Sequence, residues 1–86
     1  MKKVLLFHMQ GCPYCVEARR YIDQVCEQNP ALRAVDVEMI DERLHPVIAW
    51  RHDYWYVPTF YVDGQKVHEG ACTKDKVEQI LKMAAE

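Results

Sequence analysis

The stretch VLLFHMQGCPYCVEA, residues 4–18, joins an uninterrupted apolar run to a pair of cysteines three positions apart. The apolar run, Val4–Phe7, is bounded by Gly11 and Pro13, as is typical of a short strand buried on both faces. Beyond the cysteines, apolar residues recur at the spacing of an amphipathic helix, namely Ala18, Tyr21, Ile22, Val25 and Cys26. The sequence therefore predicts a strand followed directly by a helix, with both cysteines at the junction.

Two further elements are predicted after this helix, which should end near Asn29 and Pro30. The β-branched stretch at residues 34–37 lies between charged residues and predicts a second strand. Apolar residues then repeat at helical spacing over residues 44–51, which predicts a second helix. Pro46 is compatible with that helix only in its first turn, because proline lacks the backbone N–H that the helix interior needs.

The last third of the chain predicts a hairpin and a closing helix. Asp63 and Gly64 separate two strand-like runs and form the strongest short hairpin signal in the sequence. After Thr73, apolar residues recur at helical spacing, namely Val77, Ile80, Leu81 and Ala84. The predicted order is β-α-β-α-β-β-α, an α/β chain with a four-stranded mixed sheet and helices on both faces.

This order places the cysteine pair at a reactive edge of the predicted sheet. The first strand, helix and second strand form a crossover long enough for a parallel pair, and such crossovers are nearly always right-handed. In open sheets of this kind, reactive groups collect at the carboxyl ends of the strands. Residues 11–15 follow such an end.

Size and composition limit the classes of function. At 86 residues, with half of them hydrophobic, the chain should form one domain over residues 1–86. The net charge of −2 is spread along the chain, so no basic stripe indicates nucleic-acid binding. The opening MKKVLLF has too short an apolar run for a secretory signal, and no segment is apolar enough to span a membrane. We expect a cytoplasmic protein with reduced thiols and no membrane partner.

The cysteine pair itself favours redox chemistry. Pro13 is suited to the first helical position, so Cys12 should occupy the cap and face the positive end of the helix dipole. A negative sulfur is stabilised there, and the thiolate is the nucleophilic form of cysteine. Cys15, one turn further in, is placed to attack a mixed disulfide formed on Cys12. We therefore predict Cys12 as the nucleophile and Cys15 as the resolving thiol, without bound cofactor or metal.

The cysteines could also have a structural or metal-binding use. A zinc site needs four ligands, and this chain offers one close pair with scattered cysteines and histidines. The pairs of two chains could together hold zinc or an iron-sulfur cluster, so a metal-binding module stays open as an alternative. A structural bridge is disfavoured in a reducing compartment. Cys26 is expected to be a packing residue and Cys72 an unreactive thiol.

The sequence CPYC after a strand, with Val57 and Pro58 before another strand, resembles the glutaredoxins of the thioredoxin superfamily. The resemblance implies a thioredoxin fold and a thiol–disulfide oxidoreductase acting on protein disulfides or glutathione mixed disulfides, with glutathione as a candidate co-substrate. It further implies a cis Pro58 facing the cysteines and a Val57 backbone that receives an extended substrate. Substrate contacts are also implied for Tyr14, Gly70, Ala71 and Thr73.

Some positions are more similar to thioredoxins. PTF at residues 58–60 and GACTK at residues 70–74 have this character, and Lys74 stands where glutaredoxins usually carry an aspartate for the ammonium of glutathione. The alternative is therefore a thioredoxin-like reductant of protein disulfides that is recharged by a flavoprotein reductase. His8, where glutaredoxins often carry a basic residue, is a candidate to stabilise the Cys12 thiolate. A monomer is expected in either case.

The segment HDYWYV, residues 52–57, is rich in aromatic side chains. Some of them should belong to the core. Consecutive large apolar side chains cannot all face inward, however, so one or two are expected to form an apolar platform for a protein partner beside Pro58.

Overall fold

The computed structural model describes residues 1–86, and its sheet has the strand order β2-β1-β3-β4. The strands are β1 (Val4–His8), β2 (Val37–Asp41), β3 (Thr59–Val62) and β4 (Gln65–Glu69). The helices are α1 (Pro13–Gln28), a 3₁₀ helix (Pro30–Ala34), α2 (Pro46–Trp50) and α3 (Lys74–Ala85). Strand β1 is parallel to β2 and antiparallel to β3, and β3 is antiparallel to β4. The predicted order and the mixed four-stranded sheet are confirmed.

The second strand lies further along the chain than its β-branched residues predict. Residues 34–37 were the expected strand, but Pro30–Ala34 forms a 3₁₀ helix and β2 begins only at Val37. Proline at the first helical position favours such a turn, and the turn buries Leu32 against the core. Val35 is buried as well, as the residue that ends the turn. Its apolar character therefore reflects core packing and not strand pairing.

One face of the sheet carries most of the core. Alternate residues of a strand point to opposite faces, so Val4 and Leu6 of β1 share a face with Phe60 and Val62 of β3. Helices α1 and α3 cover this face with Ala18, Ile22, Val25, Val77, Ile80, Leu81 and Ala84. Both apolar stripes read from the sequence are thus buried together.

The opposite face has a smaller core. Phe7, Ile40 and Tyr61 are buried there, with partly buried residues such as Ala49 and Tyr54 against them. Helix α2 is five residues long and contains no buried residue. It begins at Pro46, so the proline lies in the first turn as predicted. The prediction of helices on both faces is confirmed, although α2 covers its face only in part.

The turns fit the residues that form them. Asp63 and Gly64 both have positive φ values, 51° and 82°, and connect β3 to β4 as the sequence predicts. At the far end of the sheet, Lys2 N–H donates to the Ala84 carbonyl at 2.8 Å, which joins the start of β1 to the end of α3. None of the helices combines the length and apolarity needed to traverse a bilayer.

Candidate active site

The loop after β1 brings Cys12 to the first turn of α1. Gly11 has a φ of 79°, a value that glycine adopts freely, and Pro13 occupies the first helical position. Cys12 is the N-cap, and its Sγ accepts a hydrogen bond from the Cys15 N–H at 3.3 Å. The residue is 7% exposed. Its sulfur therefore lies among the backbone N–H groups that begin the helix, where negative charge is favoured.

Cys15 lies in a different environment from Cys12. It is fully buried one helical turn further in, and both thiols are free. Burial raises the pKa of the Cys15 thiol to about 12, and the hydrogen bond to Cys12 adds to the rise. The two cysteines thus form an unequal pair, one at the helix opening and one held as a neutral thiol.

A histidine and an arginine meet beside this pair. His8 Nδ1 lies 3.3 Å from Arg19 Nη1, and because a guanidinium only donates, Nδ1 accepts. Burial and the charge of Arg19 lower the pKa of His8, so at neutral pH the ring is uncharged. The charge of Arg19 also favours the ionised form of Cys15 and opposes the rise of its pKa. The cation that acts on the buried Cys15 thiol is therefore Arg19, and His8 accepts a hydrogen bond from it.

Arg19 was missed at the sequence level, although a signal existed. It follows Cys15 by four positions and Cys12 by seven, a spacing that places all three on one face of a helix. The choice of Arg19 over the neighbouring Arg20, which is exposed, depends on the position of His8 at the end of β1. Only the fold supplies that position.

Val57 and Pro58 lie at the same end of the sheet as the cysteines. Phe7 of β1 pairs with Thr59 of β3, so the residue before Thr59 lies beside the carboxyl end of β1. The Val57–Pro58 peptide bond is cis, as the resemblance implies. Val57 takes part in none of the backbone hydrogen bonds of the turns and loops. Its backbone groups are therefore free for an extended chain to pair with.

The turn after β4 closes the site from the other side. Gly70 N–H donates to the Pro58 carbonyl at 2.8 Å, and Gly70 has a φ of 90°. The Ala71 carbonyl lies 2.9 Å from His68 Nε2, and Thr73 caps α3 by accepting from Lys76 N–H at 3.1 Å. The structure thus brings the Gly70–Thr73 turn against Pro58.

The remaining residues considered in the sequence are one exposed aromatic side chain and two further cysteines. Tyr14, in the first turn of α1, is an exposed aromatic side chain. Cys72 is buried in the main core, and burial, followed by the charge of Glu17, raises the pKa of its thiol. Cys26 is half-buried and packs against the same core, as expected of a packing residue. No group of three or more histidine, cysteine, aspartate or glutamate residues gathers in a way that could hold a metal ion.

Three side chains hold the Asp53–Val57 segment that leads into Pro58. Glu69 Oε2 accepts hydrogen bonds from the backbone N–H groups of Trp55 and Tyr56, the latter at 2.9 Å. The Thr59 hydroxyl donates to the Tyr56 carbonyl. The Tyr61 hydroxyl donates to the Asp53 carbonyl at 2.8 Å. Sequence reasoning missed these contacts because each one joins a side chain to a backbone group of an irregular loop, and the Glu69 contacts span 13 and 14 residues.

Comparison with known proteins agrees with this geometry. The family model described as Thioredoxin domain matches residues 2–82. The chain belongs to the thioredoxin-domain family. A thioredoxin from Methanocaldococcus jannaschii is 32% identical over 80 residues, which cover 93% of this chain and 92% of that relative. Membership of this family indicates thiol–disulfide oxidoreductase activity and disulfide substrates.

Solved structures support the thioredoxin fold of this family member. A structure titled as that of a malarial protein has a TM-score of 0.76 at 12% identity and covers 100% of this chain and 99% of its own. A mutant thioredoxin from Halobacterium salinarum NRC-1 has a TM-score of 0.72 at 21% identity, with 99% and 75% covered. An uncharacterised thioredoxin-like protein from Clostridium perfringens has a TM-score of 0.70 at 24% identity, with 98% and 71% covered.

Proposed function

We propose that this thioredoxin-family chain reduces protein disulfides by dithiol exchange, with Cys12 as the nucleophile and Cys15 as the resolving thiol. The contrast between the two sulfurs carries the proposal. Cys12 caps α1 and accepts the Cys15 N–H, whereas Cys15 is fully buried. A helix opening favours the thiolate, which is the attacking form, and a buried neutral thiol waits for the second step.

In the first step, Cys12 Sγ attacks one sulfur of the substrate disulfide. A bond forms between these two sulfurs, and the other substrate sulfur leaves as a thiolate. The substrate chain lies beside Val57 as an added strand, because the backbone groups of Val57 have no partner within the loop. Pro58, the Gly70–Thr73 turn and Tyr14 border the substrate.

In the second step, Cys15 gives its proton to the departed substrate thiolate and attacks Cys12 Sγ. The second substrate sulfur leaves, and two electrons have passed from the cysteine pair to the substrate. Cys15 becomes more acidic at this point, because Cys12 in a mixed disulfide no longer opposes its ionisation and the charge of Arg19 still favours it. The Cys12–Cys15 disulfide then needs an external thiol or dithiol donor.

Two donors are candidates, and the turn before α3 favours one of them. Lys74 begins α3 directly after the Gly70–Thr73 turn, where its charge would repel the ammonium of a γ-glutamyl group. The 32% identical relative is a thioredoxin. These observations support recharging by a flavoprotein reductase. The CPYC sequence supports the second candidate, a glutaredoxin-like enzyme of the cytoplasm that uses glutathione.

Serine variants of the two cysteines test the proposal and separate the donors. Cys12→Ser should lose all disulfide reduction, and turnover at the wild-type rate would rule out Cys12 as the nucleophile. Cys15→Ser should accumulate a mixed disulfide with a protein substrate, detected by mass spectrometry. Continued removal of glutathione from a glutathionylated peptide by Cys15→Ser would instead support the glutathione-dependent candidate.

A further inference from the structure

Two large aromatic side chains next to the proposed substrate segment are turned to solvent. Trp55 is 86% exposed and Tyr56 is 70% exposed. Their neighbour Tyr54 is only partly exposed and stacks on Phe7 with ring centroids 4.9 Å apart. Burial of apolar rings ordinarily lowers the free energy of the protein, so a loop free to rearrange would turn them inward. Some other interaction must hold the backbone in this conformation.

Glu69 supplies that interaction from the end of β4. It pairs with Thr59 of β3, which places its carboxylate over the loop that precedes β3. The two carboxylate oxygens have separate partners. Oε1 accepts from Lys66 Nζ at 2.8 Å, and Oε2 accepts from the consecutive N–H groups of Trp55 and Tyr56. Charge-assisted bonds of this kind are stronger than neutral ones.

These hydrogen bonds hold the backbone of Trp55 and Tyr56 and involve neither aromatic ring. Glu69 touches the N–H groups of Trp55 and Tyr56, and the Thr59 hydroxyl binds the Tyr56 carbonyl. The next residue is Val57, whose backbone is unpaired in the loop. The carboxylate therefore binds the residue next to Val57, the proposed substrate-pairing residue, and it forms no hydrogen bond with either sulfur.

We propose that Glu69 is a positioning residue for disulfide exchange on polypeptide substrates. Its carboxylate holds Trp55 and Tyr56 outward as a docking surface continuous with Val57, and apolar residues flanking the substrate disulfide pack on these rings. This inference rests on the proposed function and deepens it. A small disulfide without a polypeptide chain reacts with the same two cysteines but does not depend on the position of Trp55 and Tyr56.

The test compares two substrates in single-turnover reactions of the pre-reduced protein. One substrate is a peptide dimer linked by a cystine with a phenylalanine beside each half, and the other is bis(2-hydroxyethyl) disulfide. Glu69→Gln keeps the size of the side chain and removes the charge. It should lower the rate constant for the peptide about tenfold, which corresponds to about 1.4 kcal/mol. The rate constant for the small disulfide should stay within about twofold of wild type, because this substrate does not dock on the two rings. A twofold change corresponds to less than about 0.5 kcal/mol of activation free energy.

Matched controls separate positioning from general stability. Lys66→Gln removes the other partner of Glu69 and should keep the wild-type peptide rate. Trp55→Ser should reproduce the peptide-specific loss, whereas Leu44→Ser, at an exposed apolar residue outside the cavity that Trp55 lines, should not. Because Trp55 is 86% exposed and Leu44 is 74% exposed, neither change removes core packing. Amide hydrogen exchange of Trp55 and Tyr56 should accelerate in Glu69→Gln, which reports the loss of the two bonds directly.

Three results would overturn the inference. The first is an unchanged peptide rate in Glu69→Gln, and the second is an equal loss with both disulfides. The third is a Lys66→Gln variant that behaves like Glu69→Gln, which would indicate stabilisation of the hairpin alone. An active wild-type protein with any of these results leaves the proposed function standing. A wild-type protein that reduces neither disulfide contradicts the proposed function and this inference together.

Discussion

At the scale of single residues, the positions of the charges matter as much as the thiols. His8 accepts from Arg19 and is itself uncharged near neutral pH, because burial and the guanidinium lower its pKa. The charge that favours ionisation of Cys15, the proposed resolving thiol, is that of Arg19. Arg19 thus supplies the positive charge near Cys15, and His8 contributes a hydrogen bond to Arg19 and no charge of its own.

Replacing Arg19 should therefore slow the second step and spare the first. In Arg19→Gln, the pKa of Cys15 should rise further, because the charge that favours its ionisation is lost. The mixed disulfide on Cys12 should then persist several-fold longer, because each pKa unit removes about 1.4 kcal/mol of stabilisation from the attacking thiolate. Quenched reactions analysed by mass spectrometry give the lifetime of the mixed disulfide. Arg20→Gln is the matched control, because Arg20 is the exposed neighbour. Equal lifetimes in the two variants would exclude this role of Arg19.

Among the helices, strands and turns, the features that could be predicted from the sequence are those set by interactions between neighbouring residues. The Asp63–Gly64 hairpin and the start of α3 after Thr73 were predictable because both features depend on the conformation and hydrogen bonds of neighbouring residues. The start of β2 was not, because the 3₁₀ helix at Pro30–Ala34 is selected by burial of Leu32 in a core that only the fold creates. Glu69 is 14 residues from Trp55, and no periodic pattern reports such a contact.

The cap of α3 gives a stability prediction. Thr73→Ala removes the hydroxyl that accepts from Lys76 N–H and should lower the free energy of unfolding by about 1 kcal/mol. Urea unfolding of the two proteins measures the difference. Thr73→Ser retains the hydroxyl and should stay near wild type, so an equal loss in both variants would point to packing of the methyl group instead.

The Glu69 contacts give a pH dependence with a definite sign. Lys66 and the two backbone N–H groups lower the pKa of Glu69 from 4.5 to about 2. A carboxyl whose pKa is depressed by folding stabilises the protein above its ordinary pKa and loses this contribution as the pH falls towards the folded value. The difference in unfolding free energy between wild type and Glu69→Gln should therefore be largest near pH 6 and shrink towards pH 2. A difference that stays constant between these limits would contradict it.

At the scale of the whole molecule, the two faces of the sheet differ in cover. Helices α1 and α3 bury the main core on one face, whereas the five-residue α2 leaves several apolar side chains of its own region exposed. The amphipathic stripes in the sequence were enough to predict the first face. On the second face they predicted the presence of α2 but not which aromatic residues would be buried, because the path of one loop decides that division.

This asymmetry predicts unequal effects of the same substitution. Leu81 is fully buried in the main core, and Leu44 is 74% exposed before α2. Leu81→Ala should lower the free energy of unfolding by about 2–5 kcal/mol, since it removes buried methyl groups and leaves a cavity. Leu44→Ala should change it by less than about 0.5 kcal/mol. Chemical denaturation of both variants provides the comparison, and similar losses would mean that Leu44 packs against the protein in solution.

The bond between Lys2 and Ala84 lies at the opposite end of β1 from Cys12. Residues 2 and 84 therefore lie together, on the side away from the sulfurs. A fluorescent fusion or a tether to a solid support can be attached there without shielding the reactive edge. The same closeness suits a circularly permuted version, in which a short glycine linker joins residues 1 and 86 and new ends open elsewhere on the surface.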